Sequence, residues 1–461
     1  MRPATRDFSA GINASYSNWG VALAGHIVAT VSGMSYDDYI DQHILSPLEM
    51  RRSTFREPLP GALAGDLSGG YAFENGRLIR KEFEFIHSLG PAGSLSAPAA
   101  DIGQFMLALL QGGSLNGRRI LSTQSVGSML ARTMSPDPAL NGSTLGFYET
   151  WINGRRVVGH AGHTNYFHSN LSLLPEASLG LFVSINTAGQ GEDIPRALER
   201  AFVRHYFPAD LPQIIPPKDA VQRNERYRGT YRPLRRSHTS WEKILATKQD
   251  VCVRPMPGGT MYFPDPAYAK PAHWIEVGDG VFRRCDDDVF VAFKSHGPDV
   301  KQADFLMGPF PPIAAQRIRW YETGRSYNLI AAAAAIIFAL QLITEIYLCL
   351  AGHKAPPDLR WAGPVLAAAA VLLLIFIIGL KRVISSNELT LSNIPTALYL
   401  MLALPLLASP LVICAIFYAA SAWLHGELSL AARLQYTVTT GAAMVLYLQL
   451  KYWNLLGFRL G

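Results

Sequence analysis

The chain reads GHAGHTNYFHSNLSLLPEASLGLFVSIN over residues 159–186. Within this stretch, apolar and polar side chains alternate around two turn segments, at 162–165 and 175–178. Alternation of this kind, broken by Gly, Asn, Pro and Ser, is typical of short strands joined by tight turns. We therefore predict three consecutive antiparallel strands, at residues 155–159, 167–174 and 180–186.

Helices are predicted on both sides of these strands. The first, at 18–32, is expected to be capped by Asn18 and ended by Gly33. Others are predicted at 36–45, 96–110, 122–131 and 194–207 from their apolar spacing and caps. Helices followed by a meander and a further helix predict an α+β domain over residues 1–211, with an antiparallel sheet.

A proline-rich segment, residues 212–217, follows this domain. Short alternating stretches come next, which predicts a small all-β domain over residues 218–323. The four cysteines form no C-x-x-C pattern, so we expect no zinc or redox motif. Cys252 and Cys285 both fall in this region, and the sequence leaves open whether they form a disulfide or stay free.

Apolar stretches dominate the remaining residues, 324–461. Four of them are long enough to cross a hydrocarbon core of about 30 Å, so we predict four transmembrane helices and the lipid bilayer as a partner. They lie at 328–350, 362–380, 397–423 and 434–450. Glu345 is the one acidic residue inside them, and we interpret it as a side chain that reaches the interface rather than as a transport site.

The net charge is +6, and charged residues make up 16% of the chain, with no long basic run. We therefore expect no nucleic-acid partner. The histidines have no metal-ligand spacing with carboxylates or thiols, so we expect neither a metal nor another cofactor.

Two short motifs carry side chains suited to acyl chemistry. Tyr16-Ser17-Asn18 opens the first predicted helix, and His160-Ala161-Gly162 closes the first predicted strand. Taken singly, each has an ordinary structural interpretation. Asn18 would be a helix cap, Tyr16 a core aromatic residue and His160 a turn residue.

In this order and with their flanks, the motifs resemble the serine β-lactamase-like family. That family includes class C β-lactamases, penicillin-binding-protein-like D-alanyl-D-alanine carboxypeptidases and related esterases. The resemblance covers about residues 7–207. It is carried also by YSNWGVALAG at 16–25, ILSPLEM at 44–50 and GPAGSL at 90–95. It implies a β-lactamase/transpeptidase-like fold and a serine hydrolase whose substrate is a small-molecule or peptide acyl compound, namely a D-amino-acid peptide, an ester or a β-lactam.

The resemblance also implies roles for individual residues. Tyr16 would be the general base or proton shuttle, and Asn18 would position the substrate. His160 takes the place often held by lysine, Gly162 lets the substrate lie against the strand, and the backbone N–H of His163 would complete the oxyanion hole. Because a histidine is largely neutral at pH 7, this replacement weakens the case for β-lactam hydrolysis.

The family's Ser-x-x-Lys nucleophile motif precedes its Tyr-x-Asn motif, and no residues before Tyr16 form it here. The one Ser-x-x-Lys in the chain begins at Ser240, after the third motif, and we interpret it as coincidental. We therefore expect an N-terminally shortened, membrane-anchored serine hydrolase. The alternative is a non-catalytic membrane-bound binding or sensing module derived from the same fold.

The side of the membrane that the first domain faces is a separate expectation. Substrates of the family lie outside the plasma membrane, so we expect the domain to be extracytoplasmic. The basic residues that flank the predicted spans favour the cytoplasmic side instead.

Overall fold

The computed structural model describes residues 11, 14–189, 194–265, 270–295, 302–311, 313–353, 356–385, 394–426 and 428–459. These form two compact units. The first unit contains Met1–Arg235 and Val251–Arg317, and the second contains Arg236–Asp250 and Ile318–Gly461.

The first unit opens with helix α1 (Asn18–Ser32), at the predicted residues. Its N-cap is Ser17 rather than the predicted Asn18, because the Ser17 hydroxyl accepts a hydrogen bond from the backbone N–H of Gly20. Gly33 ends the helix with a φ of 69°, the left-handed conformation that glycine adopts without steric cost.

The other predicted helices of the first unit are also present. The predicted 36–45 helix is α2 (Tyr36–Ile40), continued by a π-helical turn at Asp41–Leu45. The predicted 96–110 helix begins later, at Ala99, because Pro98 is in an extended conformation. The remaining helices are α3 (Gly61–Ala64), α4 (Gly90–Gly93), α5 (Ala99–Leu110), α6 (Thr123–Leu130), α7 (Ile194–Tyr206) and α8 (Ala220–Arg223).

Two hairpins precede the main sheet of this unit, and the sequence did not predict either. They are β1 (Gly70–Glu74) with β2 (Arg77–Lys81), and β3 (Ser114–Leu115) with β4 (Arg118–Arg119). The sheet itself has the order β5-β6-β7-β8, with all neighbours antiparallel. Its strands are β5 (Tyr148–Ile152), β6 (Arg155–His163), β7 (His168–Leu174) and β8 (Leu179–Ile185).

The three predicted strands are therefore confirmed as β6, β7 and β8. Strand β6 is longer than predicted, so His160, Gly162 and His163 lie within it and the turn comes after it. Strand β5 was not predicted because its buried Glu149 interrupts the apolar pattern. That carboxylate is paired with Arg132 and Arg156.

Helices cover both faces of this sheet. Val158 lies in a core with α5, whereas its neighbour Val157 lies in a core with Val203 of α7. Successive strand residues point to opposite faces, so both apolar surfaces are buried. The predicted α+β arrangement is confirmed.

The all-β region is a closed eight-stranded antiparallel barrel. It is filled by aromatic side chains, among them Phe263, Trp274 and Phe293.

Cys252 and Cys285 are both free, so they form no disulfide. The barrel belongs to the same compact unit as the sheet, and the boundaries at 1–211 and 218–323 remain predictions. Its strands are β9 (Gly229–Pro233), β10 (Val251–Pro255), β11 (Met261–Pro264), β12 (Pro271–Gly278), β13 (Val281–Arg284), β14 (Phe290–Lys294), β15 (Phe305–Met307) and β16 (Ala314–Ile318).

The second unit is a bundle of four helices with a cap formed by Arg236–Asp250. The helices are α9 (Gly324–Leu350), α10 (Ala362–Ser385), α11 (Thr396–His425) and α12 (Leu430–Tyr452). Among the described residues, α9, α10 and α11 are long and apolar enough to cross a membrane. Helix α12, the fourth predicted span, is formed but is less apolar, because it carries several glutamine and threonine residues.

A buried ion-pair network joins α7 to the barrel inside the first unit. The Asp287 side chain is only 2% exposed and pairs with Arg200 and Arg204, while Arg284 Nη2 donates to its Oδ2 at 2.9 Å. Burial acts to raise the pKa of Asp287. A hydrogen bond with Asp288 and the surrounding arginine charges outweigh burial and lower the pKa to about 2.

We predict that Arg200→Met will destabilise the protein by about 3 kcal/mol, because it leaves buried carboxylates with too little positive charge. The control is Arg228→Met, which removes an exposed pair with Glu225 and is expected to leave the melting temperature close to that of the parent chain. Thermal unfolding of the detergent-solubilised chain measures both. Equal losses in the two variants would show that the network contributes nothing beyond a surface pair.

Candidate active site

Two aromatic rings and an imidazole meet at the end of the sheet. Tyr16 lies just before α1, and its ring centroid is 5.9 Å from that of His160 on β6. Tyr148 on β5 stacks on His160 at 4.7 Å with an interplanar angle of 23°, and meets the Tyr16 ring edge-on at 6.2 Å. Tyr16 and His160, which the sequence assigns to one site, are therefore brought together. Their catalytic roles remain predictions.

A narrow cleft opens beside these rings. Its walls include His160 and Asn170 from the sheet, Arg196 and Glu199 from α7, and Phe310 from the segment between β15 and β16. Its volume is about 20 Å³, which is room for little more than a single water molecule. A ligand larger than water would therefore place only a small group in the cleft and lie mostly on the open surface outside it.

His160 lies in an environment that disfavours its charged form. Burial lowers the pKa of His160, a backbone hydrogen bond with Ala161 partly offsets this, and the positive charge of Arg196 lowers it again. The imidazole is therefore neutral at pH 7, with one nitrogen that donates and one that accepts a hydrogen bond. It can hydrogen-bond a phenol or a carboxylate, but it supplies no positive charge.

Positive charge near the rings comes from arginine instead. The Arg235 guanidinium carbon lies 4.9 Å from the centroid of the Tyr16 ring, and that of Arg196 lies 4.1 Å from the Phe310 centroid.

Burial raises the pKa of Tyr148, and the neighbouring Tyr16 adds to this effect. Tyr148 is therefore a protonated phenol that can donate a hydrogen bond.

The other predicted site residues lie on the elements that carry Tyr16 and His160. Asn18 is the exposed first residue of α1, and Gly162 and His163 are the exposed last residues of β6. A Cβ atom on Gly162 would meet no described protein atom within 4 Å, so the space beside it is open. At Gly159 a Cβ atom would lie 2.2 Å from the carbonyl oxygen of Leu171, so the fold requires glycine there.

A profile of the family described as Beta-lactamase matches residues 1–204. Residues 1–204 belong to the serine β-lactamase-like family. This β-lactamase-family domain contains the sheet, α1 to α6 and nearly all of α7. The assignment confirms the family predicted from the two motifs.

Named relatives match the same part of the chain. "Beta-lactamase-like protein 2" of Dictyostelium discoideum is 26% identical over 186 residues, which is 39% of this chain and 32% of the relative. "Putative beta-lactamase-like 1" of Homo sapiens is 26% identical over 200 residues, 42% of this chain and 37% of the relative. The chain thus spans about a third of the length of each.

Among solved structures, the octameric penicillin-binding protein homologue from Pyrococcus abyssi aligns with 68% of this chain and 66% of its own. Its identity is 19% and the TM-score is 0.37. The family assignment rests on the profile match and not on this similarity.

Several residues in or beside the cleft were not predicted. Tyr148 lies on the strand that the sequence pattern missed. Arg196 and Glu199 lie three residues apart on α7, where their spacing also suits an ordinary solvent-exposed helix face. Arg235 and Phe310 come from beyond the domain, so no motif within residues 1–204 could have indicated them.

Glu199 is the half-buried acid of the cleft. Burial raises the pKa of Glu199, and hydrogen bonds from Ser172 and Asn170 only partly offset this. The Asn170 amide donates to the Ser172 hydroxyl at 2.9 Å, and that hydroxyl donates to the Glu199 carboxyl group. The three side chains form a hydrogen-bonded row from β7 to α7.

We predict that Glu199→Gln will raise the melting temperature at pH 8 and flatten its dependence on pH. Because the folded pKa is raised, the stability contributed by the protonated form is complete below the unfolded pKa of about 4.3. It is lost as pH rises through the folded pKa. The amide removes this loss, so the melting temperature of the variant should exceed that of the parent increasingly as pH rises.

The matched control for this measurement is Glu176→Gln, at an exposed turn position. Its melting temperature should follow that of the parent chain from pH 5 to pH 8. A Glu199→Gln variant with the parent's pH dependence would contradict the prediction.

Proposed function

We propose that the chain is the substrate-holding part of a membrane-anchored serine hydrolase. Its substrate would be an acyl compound, either a D-amino-acid peptide, an ester or a β-lactam. The observation that carries the proposal is the 5.9 Å separation of the Tyr16 and His160 rings, which come from distant parts of the β-lactamase-family domain.

The geometry supports a division of roles around this pair. Tyr16 is the proton shuttle, and neutral His160 hydrogen-bonds either its phenol or a substrate carboxylate. Asn18 holds the substrate amide beside Tyr16. The open edge of β6 at Gly162 accepts the substrate backbone, and the N–H of His163 faces the developing oxyanion.

Acyl transfer also requires a nucleophile, which the family supplies from Ser-x-x-Lys. Ser240 and Lys243 do not form such a pair. The Ser240 side chain is buried and donates to the Glu242 carboxylate at 2.8 Å, whereas the Lys243 ammonium donates to the carbonyl of Tyr452 at 2.7 Å. Both side chains therefore make contacts within the second unit and not with each other. We propose that the 461 residues by themselves bind substrate without forming an acyl-enzyme.

We predict that a fluorophosphonate or penicillin probe will leave the purified chain without a covalent label. The remaining site residues offer no comparable attacking group, and oxyanion stabilisation alone gives only residual catalysis. Mass spectrometry of the intact protein measures this. A label that disappears in Ser240→Ala would contradict the prediction and assign the reaction to Ser240.

Reversible binding to the purified chain tests the site formed by Tyr16 and His160. A D-alanyl-D-alanine peptide should give saturation-transfer NMR signals that His160→Ala and Tyr16→Phe weaken and that the exposed barrel substitution His273→Ala leaves unchanged. Equal signals in all four proteins would refute the shared site. Binding without any label would also fit the alternative function, a membrane-bound binding or sensing module.

Anchoring rests on the second unit, where α9, α10 and α11 have the length and composition of membrane spans. We propose that α12 crosses the membrane as well. Several of its polar side chains point inward: Thr439 and Thr440 are buried, and Gln435 donates to Gln341 of α9 at 3.2 Å. The exposed residues of α12 include Val438, Val445 and Leu448, which suit contact with lipid.

Four spans place the C-terminus on the same side as the segment that precedes α9. We predict that this side is extracytoplasmic, so a reporter that fluoresces only in the cytoplasm stays dark when fused after Gly461 and is bright when fused after Gly426. Equal brightness would show that α12 does not cross. The reversed pattern would place the β-lactamase-family domain in the cytoplasm, as the loop charges favour.

A further inference from the structure

One end of the helix bundle is defined by the cap, residues 236–250. The Lys243 ammonium donates to the carbonyl of Tyr452 at 2.7 Å, and that of Lys248 donates to the carbonyl of Ile384 at 3.4 Å. Gly324 packs against Thr247 of the cap. The start of α9 and the ends of α10 and α12 therefore lie at one end of the bundle.

This end, which we call the basic end, carries a set of exposed cations. Within the described part of the second unit, none of them has an ion pair with a carboxylate. Their positions follow directly from the helix termini: one lies at the start of α9, two near the end of α10, one at the end of α12 and one just beyond it. They are Arg325, Lys381, Arg382, Lys451 and Arg459.

The cations at the opposite end of the bundle are engaged differently. Arg433 donates to the carbonyls of Leu428 at 2.7 Å and Gly426 at 3.1 Å. The Arg360 guanidinium carbon lies 5.7 Å from the centroid of the Trp361 ring. The basic end therefore has five exposed cations, of which Arg459 also donates to the Asn454 side chain at 3.0 Å, whereas Arg360 and Arg433 are the lysine or arginine residues described at the opposite end.

Exposed aromatic side chains mark the depth of the basic end in the bilayer. Trp320, just before α9, is 76% exposed, and Phe458, next to Arg459, is 52% exposed. Such aromatic residues concentrate at the level of lipid headgroups. An anion that meets this ring of cations at that depth is the phosphate of a phospholipid.

We propose that the basic end binds anionic phospholipids through their phosphate headgroups. The inference rests on the bundle lying in a bilayer and not on the proposed hydrolase activity. The lipid would be held by charge at five positions and by the exposed indole of Trp320, in the leaflet on the side where α9 begins. A zwitterionic lipid has no net charge to offer and is expected to bind less well.

Native mass spectrometry of the full chain in neutral detergent tests this. The chain is incubated with equal amounts of phosphatidylglycerol and phosphatidylcholine, and the bound lipids are counted. We expect phosphatidylglycerol to be enriched on the parent chain. Because each cation near an anionic surface is worth about fivefold in binding, K381Q/R382Q/K451Q should reduce the enrichment by at least about tenfold.

The matched control is R360Q/R433Q, which removes cations from the opposite end and should keep the parent's enrichment. Unchanged enrichment in the triple variant, with the same helicity by circular dichroism, would overturn the proposal. A second experiment adds inorganic phosphate to the same mixture, at the same concentration as the phosphatidylglycerol. Complete displacement of phosphatidylglycerol would also overturn it, because the site would then bind the free anion rather than a lipid.

Discussion

The register of β6 against β7 is the constraint on which the first unit depends. A shift of one residue would exchange the two faces of β6 and turn Val157 and Val158 away from their separate cores. It would also turn His160 away from Tyr148 and Tyr16. The close approach of Gly159 to the carbonyl of Leu171 pins this register, since a side chain at that position would collide with the backbone of β7. Core packing and site geometry are therefore fixed by the same pairing.

Much of this arrangement is visible in the sequence because it depends on periodicity and on turn residues. The strands β6 to β8 and the helices α1, α5 and α7 follow from apolar spacing, and Gly33 marks the end of α1 because glycine adopts the left-handed conformation without steric cost. Tyr16 and His160 could be paired in advance because the two motifs that contain them belong to one family resemblance. The predicted fourth span differs from the other three, since α12 places polar groups such as Thr439 and Thr440 against other helices, which lowers its mean hydropathy.

Sequence patterns do not reveal elements in which buried ion pairs replace apolar packing. Glu149 is buried in β5 with two arginines, so the strand lacks the usual alternation. Asp287 and Glu276 are also buried carboxylates with arginine partners, and no local pattern reveals them. Arg235 and Phe310 reach the site from the barrel, a contact that depends on how distant segments pack. Sequence patterns describe local structure, whereas these contacts are set by tertiary structure.

The inward-facing polar side chains of α12 also constrain how the bundle is assembled. Gln435 and Thr439 hydrogen-bond with Gln341, which belongs to α9. If α12 spans the membrane as proposed, these groups would face hydrocarbon unpaired without α9, at a cost that a helix of modest hydropathy does not offset. Helix α9 precedes α12 in the chain, so the Gln341 side chain is synthesised before its partners on α12. In the proposed four-span topology, entry of α12 into the bilayer therefore depends on its docking against α9.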